Sequence, residues 1–516
     1  MENAAQTTLL ANTKHASAQL GHVLVLGLGV SGTAVRAYCQ ALFDAAASAN
    51  ADSLANATAS LQASDSTSSR LTALSVLIGT DETGFDLETT TPTGTTKQHF
   101  ATLAGMVEQV GKAFDLCIAS PGISQFSPLY ETAASLSKET ISEVEFAWRE
   151  STADSKWVAI TGTNGKTTTT ALVAHLLRES GMKAAAIGNI GDACITAVAQ
   201  GETEIYVAEV SSYQLASCTL FAPDCALLLN ITPDHLAWHK SFEVYVEAKG
   251  NIFANLRACA ECSAIIDATN EVSRGFVKTL REEGRCAYVP VGTAEGIGGD
   301  MRNRCGSANA AFWREDGMLV VALNGTEYEL VHANELLIEG EHNINNALMA
   351  ASAALCMHAP VEALRQGLMN FAPLEHRLEP CGSVGGVACY NDSKATNPEA
   401  SLVALHALDY KRPIVLLGGD DKGTSLTELA SYAAQTCQAA VCFGAAGPRF
   451  ADAIAQTALP YKLVGNMEEA LDAALGMAQA GGTVLLSPAC ASFDEFDNFE
   501  HRGRVFKQLV AARQAQ

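Results

Sequence analysis

A glycine-rich turn that ends in a lysine and a run of threonines is the stretch best suited to chemistry. Trp157 to Thr170 read WVAITGTNGKTTTT, which predicts a buried strand and a turn, and the following ALVAHLL predicts a helix. Backbone N–H groups at the start of such a helix can hold phosphate oxygens. Lys166 then reaches the outer phosphates, and the hydroxyl of Thr167 binds the accompanying Mg²⁺. The predicted phosphate-binding residues are Gly162, Thr163, Asn164, Gly165, Lys166, Thr167 and Thr168.

This turn is shorter than the usual phosphate-binding pattern, G-x-x-x-x-G-K-[ST]. Ile160 stands where that pattern has its first glycine, so the residues present form G-x-x-G-K-T. Alone, such a segment also fits an ordinary strand–turn–helix junction. The order of strand, glycines, lysine and threonine is the one that phosphate binding requires, and it favours that function.

Two strands predicted downstream end in polar residues. EIYVAEVSSYQL begins as a strand that ends at Glu209, and LLLNITPDH is a strand with Asp234 and His235 at its tip. A carboxylate at a strand end, in a sheet that also carries a phosphate loop, is a natural Mg²⁺ ligand. From the pattern alone, an ordinary edge glutamate explains Glu209 equally well.

Lys249 interrupts the apolar face of a predicted helix. The apolar residues at helical spacing are Phe242, Tyr245, Val246, Ile252, Phe253 and Leu256. A lysine in such a stripe usually extends along the apolar surface to water, and the pattern alone favours that interpretation. In a closed pocket, desolvation would instead lower the pKa of the amine. A neutral amine can take up CO₂ to form a carbamate, which is a metal ligand.

The N-terminal region carries a second glycine turn. His22 to Gly27 predict a strand that leads into GLGVSG, a GxGxxG turn that indicates a Rossmann-type unit with a diphosphate near Gly29 to Gly32. Residues 41–70, rich in Ala, Ser and Asp, predict an insertion that is either partly helical or mobile. Two more strands are predicted, Leu74 to Ile78 before Asp81, a candidate uridine or ribose contact, and Leu116 to Ala119 before the turn Ser120-Pro121-Gly122.

The last third of the chain alternates apolar strands with polar or glycine-rich tips and helix-like runs. The strands are predicted at Val387 to Tyr390, Ile414 to Leu417, Ala440 to Phe443 and Thr483 to Leu486. This alternation is typical of a doubly wound α/β domain, which binds ligands at the carboxyl ends of its strands. Upstream, residues 258–335 indicate strands and loops, with DATN at 267–270 as a candidate nucleotide contact. EHNINN at 341–346 opens a helix whose asparagines either cap it or contact an adenine edge.

Composition limits the class of protein. A chain of 516 residues, 48% of them hydrophobic, suits about two to four domains with full cores. The net charge of −23 argues against nucleic-acid binding. The 15 cysteines are spread along the chain and predict reduced thiols, and the single CxxC of Cys259 and Cys262 is a weak metal signal. The sequence contains no bilayer-spanning apolar run and no secretory signal, which predicts a cytoplasmic protein.

A series of motifs makes the sequence recognisable. They are GTNGKTTT, AEVSSYQL, NITPDHL, VEAKGNIF, GEHNINNAL, EHRLE, NDSKATNP, LGGDDKG and SPACASFDEFDNFEHRG, in this order. With them the chain resembles the Mur ligase family over residues 20–512. The resemblance implies an α/β protein of three domains: a Rossmann-like UDP-sugar domain over 1–144, a central P-loop-type ATPase domain over 145–373, and a doubly wound amino-acid domain over 374–516. It implies a monomer that uses ATP and Mg²⁺ to join D-glutamate to UDP-N-acetylmuramoyl-L-alanine through an acyl phosphate.

The resemblance also implies roles for single residues. Lys166 and Thr167 would hold the phosphates and one Mg²⁺, Glu209 would complete that metal site, His235 would help to bind a second Mg²⁺, and Lys249 would be carbamylated. The nucleotide would also contact Asn343, Asn346, Arg377 and Asp392. The UDP-substrate would contact Val30, Ser31, Gly32, Asp81, Ser120, Pro121, Gly122, Asn189, Ser211 and Gln214. D-Glutamate would contact Lys394, Thr396, Lys422, Ser492, Phe493 and Phe499.

Three other classes of protein fit parts of the sequence. A related ligase for another amino acid or for folate shares most motifs, but the diaminopimelate- and lysine-adding relatives carry a DNPR-like segment where this chain has SPACASFDEF. An NAD-dependent dehydrogenase built on Gly27 to Gly32 leaves Lys166, Lys249 and the C-terminal half unexplained. A catalytically silent nucleotide-binding protein predicts the loss of Lys166, Glu209 or His235, and all three are present.

Overall fold

The computed structural model describes residues 13–17, 19–57, 70–80, 82–256, 263–284, 286–292, 303, 305–421, 423 and 425–514. The chain forms two compact units: Met1–Leu330 with Ala347–Leu368, and Val331–Asn346 with Met369–Gln516. The predictions for Asp81, Lys422, Cys259 and Cys262, and for residues 58–69 of the insertion, lie outside the described residues.

The first of three sheets is built near the N-terminus. Its strands are β1 (Gly21–Leu26), β2 (Leu71–Thr80), β3 (Gly84–Thr91), β4 (Gly94–Phe100), β5 (Phe114–Ala119) and β6 (Ser137–Ser142), and its helices are α1 (Val30–Ala57), α2 (Leu103–Val110), α3 (Pro128–Leu136) and α4 (Glu143–Glu150). The strand order is β4-β3-β2-β1-β5-β6, with β1 parallel to β2 and β5. This arrangement confirms the expected Rossmann-like unit, and the antiparallel hairpin β3–β4 widens it at one edge. The predicted insertion is helical as far as Ala57, because α1 continues through it.

The second sheet carries the phosphate loop. Its strands are β7 (Lys156–Thr161), β8 (Ala184–Gly188), β9 (Ile205–Glu209), β10 (Cys225–Leu228), β11 (Ser263–Asp267), β12 (Ala287–Gly292), β13 (Ala310–Trp313), β14 (Met318–Leu323) and β15 (Thr326–His332). Its helices are α5 (Lys166–Glu179), α6 (Cys194–Gln200), α7 (Ser212–Ala216), α8 (Leu236–His239), α9 (Phe242–Gly250), α10 (Glu271–Glu283), α11 (Glu341–Cys356) and α12 (Val361–Asn370). The order is β15-β14-β13-β12-β11-β10-β7-β9-β8, so β7 lies between β10 and β9. The carboxyl ends of these three parallel strands therefore meet at one edge.

Helix α10 corrects the prediction that residues 258–335 hold only strands and loops. Asn270 caps it by accepting a hydrogen bond from the backbone N–H of Ser273. Ser273, Val277 and Leu280 form its buried face, and Gly284 ends it in a left-handed conformation. Spacing of buried residues by three and four is the helical period, so the signal was present in the sequence.

The third sheet organises the C-terminal unit. Its strands are β16 (Glu379–Val384), β17 (Val387–Asn391), β18 (Ile414–Gly418), β19 (Ala439–Phe443), β20 (Tyr461–Leu463) and β21 (Thr483–Leu486), and its helices are α13 (Pro398–Leu408), α14 (Thr427–Thr436), α15 (Gly447–Ala455), α16 (Met467–Met477) and α17 (Phe499–Gln514). The order is β16-β17-β21-β18-β19-β20. The four predicted strands are its parallel centre, which confirms the doubly wound α/β pattern. Separate apolar clusters pack on its two faces.

None of the cysteines in the described ranges forms a disulfide, in agreement with the predicted reduced thiols. Most are buried, and they occur in each sheet, for example Cys117 in β5, Cys225 in β10 and Cys442 in β19. Among the described residues, no helix combines the length and the apolar character needed to cross a membrane.

Candidate functional site

The phosphate loop joins β7 to α5, as the sequence predicts. Gly162 and Gly165 have φ of 156° and 84°, values that favour glycine, and a Cβ on Gly162 would overlap the side chain of Leu229. The backbone N–H groups of Thr163 and Asn164 donate to the carbonyl and the side-chain oxygen of Asn230, at 2.7 and 2.9 Å. The first turn of α5, which begins at Lys166, presents the further N–H groups that an anion can use.

Lys166 binds two backbone carbonyl oxygens of this loop. Its Nζ donates to the carbonyl oxygens of Gly162 and Thr163 at 3.0 and 2.7 Å. Carbonyl oxygens repel phosphate oxygens, so a loop that binds phosphate must keep them turned away. The lysine predicted to reach the phosphates thus lies beside the loop that would hold them.

Lys249 is buried, and the pattern-only interpretation that it extends to solvent is wrong. The residue lies on α9 and is only 2% exposed. Its Nζ donates to the carbonyl oxygen of Gly162 at 2.7 Å. Nζ also lies 4.7 Å from the ring centre of Tyr245. Burial first, and then the ammonium group of Lys166, hold the pKa of Lys249 well below its usual value, against the opposing carboxylates of Asp234 and Glu209. Burial of this kind favours the neutral form of an amine over its charged form.

Glu209 ends β9 beside this pair of lysines. The residue is 5% exposed, and within the described part of the chain its buried Oε2 has no hydrogen-bond partner. An unsatisfied buried carboxylate oxygen is costly, and a metal ion is a partner that would satisfy it. This observation favours the metal-ligand interpretation of Glu209 over that of an ordinary edge glutamate.

Asp234 and His235 lie at the tip that follows β10. His235 has a left-handed φ of 54° and is the residue just before α8, and its backbone N–H donates to Oδ1 of Asp234 at 2.8 Å. Its Nε2 lies 3.4 Å from Oδ2 of Asp234, and the imidazole is partly exposed. Oxygen and imidazole donors next to a phosphate loop fit a divalent cation, so the residues present fit Mg²⁺.

The predicted UDP-substrate residues of the first unit lie in two groups, one after strands of the N-terminal sheet and one near Glu209 in the second sheet. Val30, 81% exposed, and Ser31 begin α1. A Cβ on Gly32 would overlap the carbonyl oxygen of Gly27, which also accepts a hydrogen bond from Ser120 Oγ at 3.2 Å; Pro121 and Gly122 continue that turn.

The remaining three predicted contacts of this substrate lie near Glu209. The backbone N–H of Asn189 donates to the carbonyl of Glu209 at 3.1 Å. Ser211 and Gln214 bind each other in a capping box at the start of α7. Their contact with a substrate stays a prediction.

In the C-terminal unit, the predicted nucleotide residues are held by local hydrogen bonds. Asp392 accepts from the hydroxyl of Ser487 at 2.7 Å and from the N–H of Leu378 at 3.3 Å. Its burial raises the pKa of the carboxyl to about 7, and the guanidinium of Arg377 opposes that shift. Asn343 and Asn346 open α11 and are bonded to each other at 3.1 Å.

The predicted D-glutamate residues follow the strands β17 and β21. Lys394 Nζ lies 3.8 Å from the ring centre of Phe499. Thr396 is half-buried, Ser492 is buried, and Phe493 is 70% exposed.

Arg502 holds these two segments together and was missed from the sequence. It is fully buried on α17, and its guanidinium donates to Ser393 Oγ at 2.9 Å and to the carbonyls of Ser393, Cys490 and Ala491 at 2.8, 3.0 and 3.0 Å. Burial lowers the pKa of Arg502 to about 10. Its partners are 11, 12 and 109 residues away in the sequence, and no local pattern indicates them.

Comparisons with known proteins agree with this geometry. Residues 160–354 match the Mur ligase middle domain, and residues 376–490 match the Mur ligase glutamate ligase domain. A UDP-N-acetylmuramoylalanine–D-glutamate ligase of Thermoanaerobacter pseudethanolicus is 38% identical over 402 residues, which cover 77% of this chain and 84% of that protein. The chain belongs to the Mur ligase family. A protein of the same name from Caldanaerobacter subterraneus is 38% identical over 412 residues, covering 78% of this chain and 85% of its own.

The fold of this Mur ligase also matches solved structures. A pseudomurein peptide ligase type C from Methanothermus fervidus aligns with a TM-score of 0.54 and 16% identity, over 80% of this chain and 89% of its own. At that identity the likeness concerns the fold alone. Mur ligases use ATP and Mg²⁺.

Proposed function

We propose that this Mur ligase joins D-glutamate to UDP-N-acetylmuramoyl-L-alanine with the hydrolysis of ATP to ADP and phosphate, a step in peptidoglycan precursor synthesis. One observation carries the proposal: Lys166 and Lys249 both donate to the carbonyl oxygen of Gly162, beside the unpartnered carboxylate oxygen of Glu209. The choice of substrates is supported by the printed name of relatives that are 38% identical. We also propose that the protein acts as a monomer in the cytoplasm, and that its three domains span 1–144, 145–373 and 374–516.

The chemistry requires activation, because a carboxylate is a poor electrophile. An oxygen of the L-alanine carboxylate attacks the γ-phosphorus of ATP, the bond to the β-bridging oxygen breaks, and ADP leaves. The amine of D-glutamate then attacks the acyl carbon of the resulting acyl phosphate. Phosphate leaves with the electron pair of the C–O bond, and the amine gives up a proton as the amide forms.

The first step brings two anions together, and the residues around Gly162 offset their repulsion. The first-turn N–H groups of α5 and the ammonium of Lys166 would hold the phosphates. Mg²⁺ would be held by Thr167, Glu209, His235 and modified Lys249, and when bound it neutralises charge on the phosphates and the attacking carboxylate.

We further propose that Lys249 carries a carbamate. Its burial and the nearby Lys166 favour a neutral amine, which can attack CO₂ and lose a proton to give N–COO⁻. The change places an anion next to the ammonium group of Lys166, so the two side chains attract each other. Glu209 and the carbamate would then both present oxygen to the metal.

The amino-acid end of the reaction is assigned to the C-terminal unit. D-Glutamate carries two carboxylates, and Lys394 and Lys422 provide cations to meet them, with the hydroxyls of Thr396 and Ser492 as further donors. Phe499 packs against Lys394 and would limit the motion of its side chain. Phe493 would contact D-glutamate through its backbone.

Phosphate release from ATP tests the proposal directly. The assay contains Mg²⁺ and UDP-N-acetylmuramoyl-L-alanine, with D-glutamate, with L-glutamate, or with neither. We expect turnover with D-glutamate alone. Turnover with another amino acid would support a ligase reaction with a different amino-acid substrate. Nucleotide binding without turnover in any of these mixtures would contradict the proposed reaction.

A further inference from the structure

We propose that Asn230 is a positioning residue for the nucleotide, acting through the backbone of Asn164 in the phosphate loop. The inference rests on the proposed function, since it concerns the same nucleotide site. Asn230 follows β10 and Asn164 follows β7, the neighbouring parallel strand. Asn230 is the first residue of the motif NITPDHL, and its contacts indicate what it does.

The side chain of Asn230 pairs with both backbone groups of Asn164. Its Oδ1 accepts from the backbone N–H of Asn164 at 2.9 Å, and its Nδ2 donates to the backbone carbonyl of Asn164 at 3.3 Å. Only one orientation of the amide satisfies both contacts, because the opposite orientation would set oxygen against oxygen and N–H against N–H. The two contacts therefore define the plane of the side chain as well as its position.

These contacts continue the pairing of the two strands beyond their ends. The N–H of Leu229 donates to Thr161 at 2.9 Å, and the N–H of Thr163 donates to the carbonyl of Asn230 at 2.7 Å. Thr163 Oγ1 then donates to the carbonyl of Thr232 at 3.1 Å and accepts from its N–H at 3.0 Å. Asn230 lies in the middle of this series, where the loop turns towards the start of α5.

The consequence for an anion lies in the carbonyl oxygens of the loop. Those of Gly162 and Thr163 accept from the Nζ atoms of lysines, and that of Asn164 accepts from Asn230. Each hydrogen bond keeps a carbonyl oxygen, which carries a partial negative charge, turned away from the position that phosphate oxygens would occupy. Without Asn230, the peptide that contains the carbonyl of Asn164 is free to rotate, and the loop loses the arrangement that an anion needs before binding.

Two variants separate a hydrogen-bonding role from simple packing. Asn230→Ala removes both contacts. Asn230→Asp keeps the shape and one acceptor but sets a carboxylate oxygen against the carbonyl of Asn164. Asn255→Ala is the matched control, because the amide of Asn255 also donates to two backbone carbonyls of the same unit, at 2.8 and 3.3 Å.

Calorimetric titration of the full chain with Mg²⁺-ADP tests the proposal. We expect affinity to fall about tenfold in Asn230→Ala and at least as far in Asn230→Asp at pH 8, and to stay unchanged in Asn255→Ala. Lowering the pH should restore affinity in Asn230→Asp relative to the wild type, because the protonated acid can donate to Asn164 again. A packing role would not produce that pH dependence.

Two further measurements complete the test. In turnover assays, the KM for ATP should rise in Asn230→Ala while the KM for D-glutamate stays within about twofold, and the unfolding midpoint without ligand checks that each variant is folded. Both variants binding Mg²⁺-ADP within twofold of the wild type would overturn the inference and leave the proposed function intact. A wild type that binds no Mg²⁺-ADP would overturn both.

Discussion

Gly503 lies against the imidazole of His376 so closely that a side chain on Gly503 would overlap the ring. His376 is buried with a left-handed φ of 65°, and its Nδ1 lies 2.8 Å from the amide nitrogen of Asn391. The next residue is Arg377, a predicted nucleotide contact. The absence of a side chain at 503 is thus part of what holds the segment that carries Arg377.

Gly503→Ala should therefore destabilise the C-terminal unit, although alanine is the better helix former. Overpacking of this kind costs about 1–3 kcal/mol. Gly476→Ala is the control, since a Cβ there meets nothing within 4 Å and its effect should be neutral or stabilising by up to about 1 kcal/mol. Urea unfolding followed by circular dichroism compares the two, and equal midpoints would contradict the close contact.

Lys249→Ala should abolish turnover and remove a bound CO₂. In the wild type, incubation with ¹³C-bicarbonate should give a carbamate carbon signal in NMR spectra, and the signal should be missing from the variant. Lys183→Ala, at an exposed lysine, should retain both the signal and the activity. An active wild type without the signal would rule out the carbamate and leave Lys249 as an amine.

Glu209→Gln should raise the Mg²⁺ concentration needed for half-maximal activity by about tenfold or more, because an amide oxygen is a weaker ligand than a carboxylate. Glu204→Gln, at an exposed residue just before the same strand, should leave the Mg²⁺ dependence unchanged. Removing the metal with a chelator should stop turnover in all three proteins. A Mg²⁺ dependence that is identical in Glu209→Gln and wild type would argue that Glu209 is not a ligand.

Arg502→Lys should raise the KM for D-glutamate about tenfold and change the KM for ATP much less. Lysine keeps the charge but cannot reach Ser393, Cys490 and Ala491 together, so the segments after β17 and β21 lose their connection. Arg513→Lys is the control on the same helix, where the arginine pairs with Asp472 on α16. A parallel rise of every KM with a lower unfolding midpoint would indicate a purely structural role.

Glu143 makes stability depend on pH near neutrality. The residue is buried at the start of α4 and accepts from the N–H of Ile195 at 2.7 Å, and burial raises the pKa of its carboxyl to about 7. A raised carboxyl pKa means that the folded chain binds the proton more tightly than the unfolded chain does. Stability is therefore lost as the pH rises from the unfolded pKa of 4.5 through 7.

Glu143→Gln should remove this dependence. Between pH 5 and pH 8, the wild type should lose about 2–3 kcal/mol of stability relative to the variant. Urea midpoints of both proteins at the two pH values provide the comparison, with the exposed Glu131→Gln as control. A constant difference between wild type and Glu143→Gln would show that the carboxyl titrates at an ordinary pKa.

The sequence was most informative where an apolar run is followed by polar residues. The phosphate loop, Glu209 and the four central strands of the C-terminal sheet were predicted because each is a local pattern of a few residues. The position of Lys249 could not be predicted from its apolar stripe. A stripe shows that one face is buried, but not that the face lies against Gly162, 87 residues earlier in the chain.

Residues that act on distant backbone were missed for the same reason. Asn230 opens the motif NITPDHL, but its partner Asn164 is 66 residues away and the motif does not indicate that pairing. Arg502 looks like one more cation on a charged helix, yet it binds three carbonyls on two segments. Hydrogen bonds from a polar side chain to a distant backbone group do not produce a repeating pattern in the sequence, so they cannot be predicted from it.

The buried thiols described above give the protein a built-in set of labelling sites. A water-soluble alkylating reagent can reach Cys117, Cys225 or Cys442 only when the sheet that contains each of them opens. The rate at which each becomes modified, followed by peptide mass spectrometry, therefore reports the opening of the N-terminal, central and C-terminal sheets separately and without an engineered probe. Ligands that bind one sheet should slow the labelling of its own cysteine first.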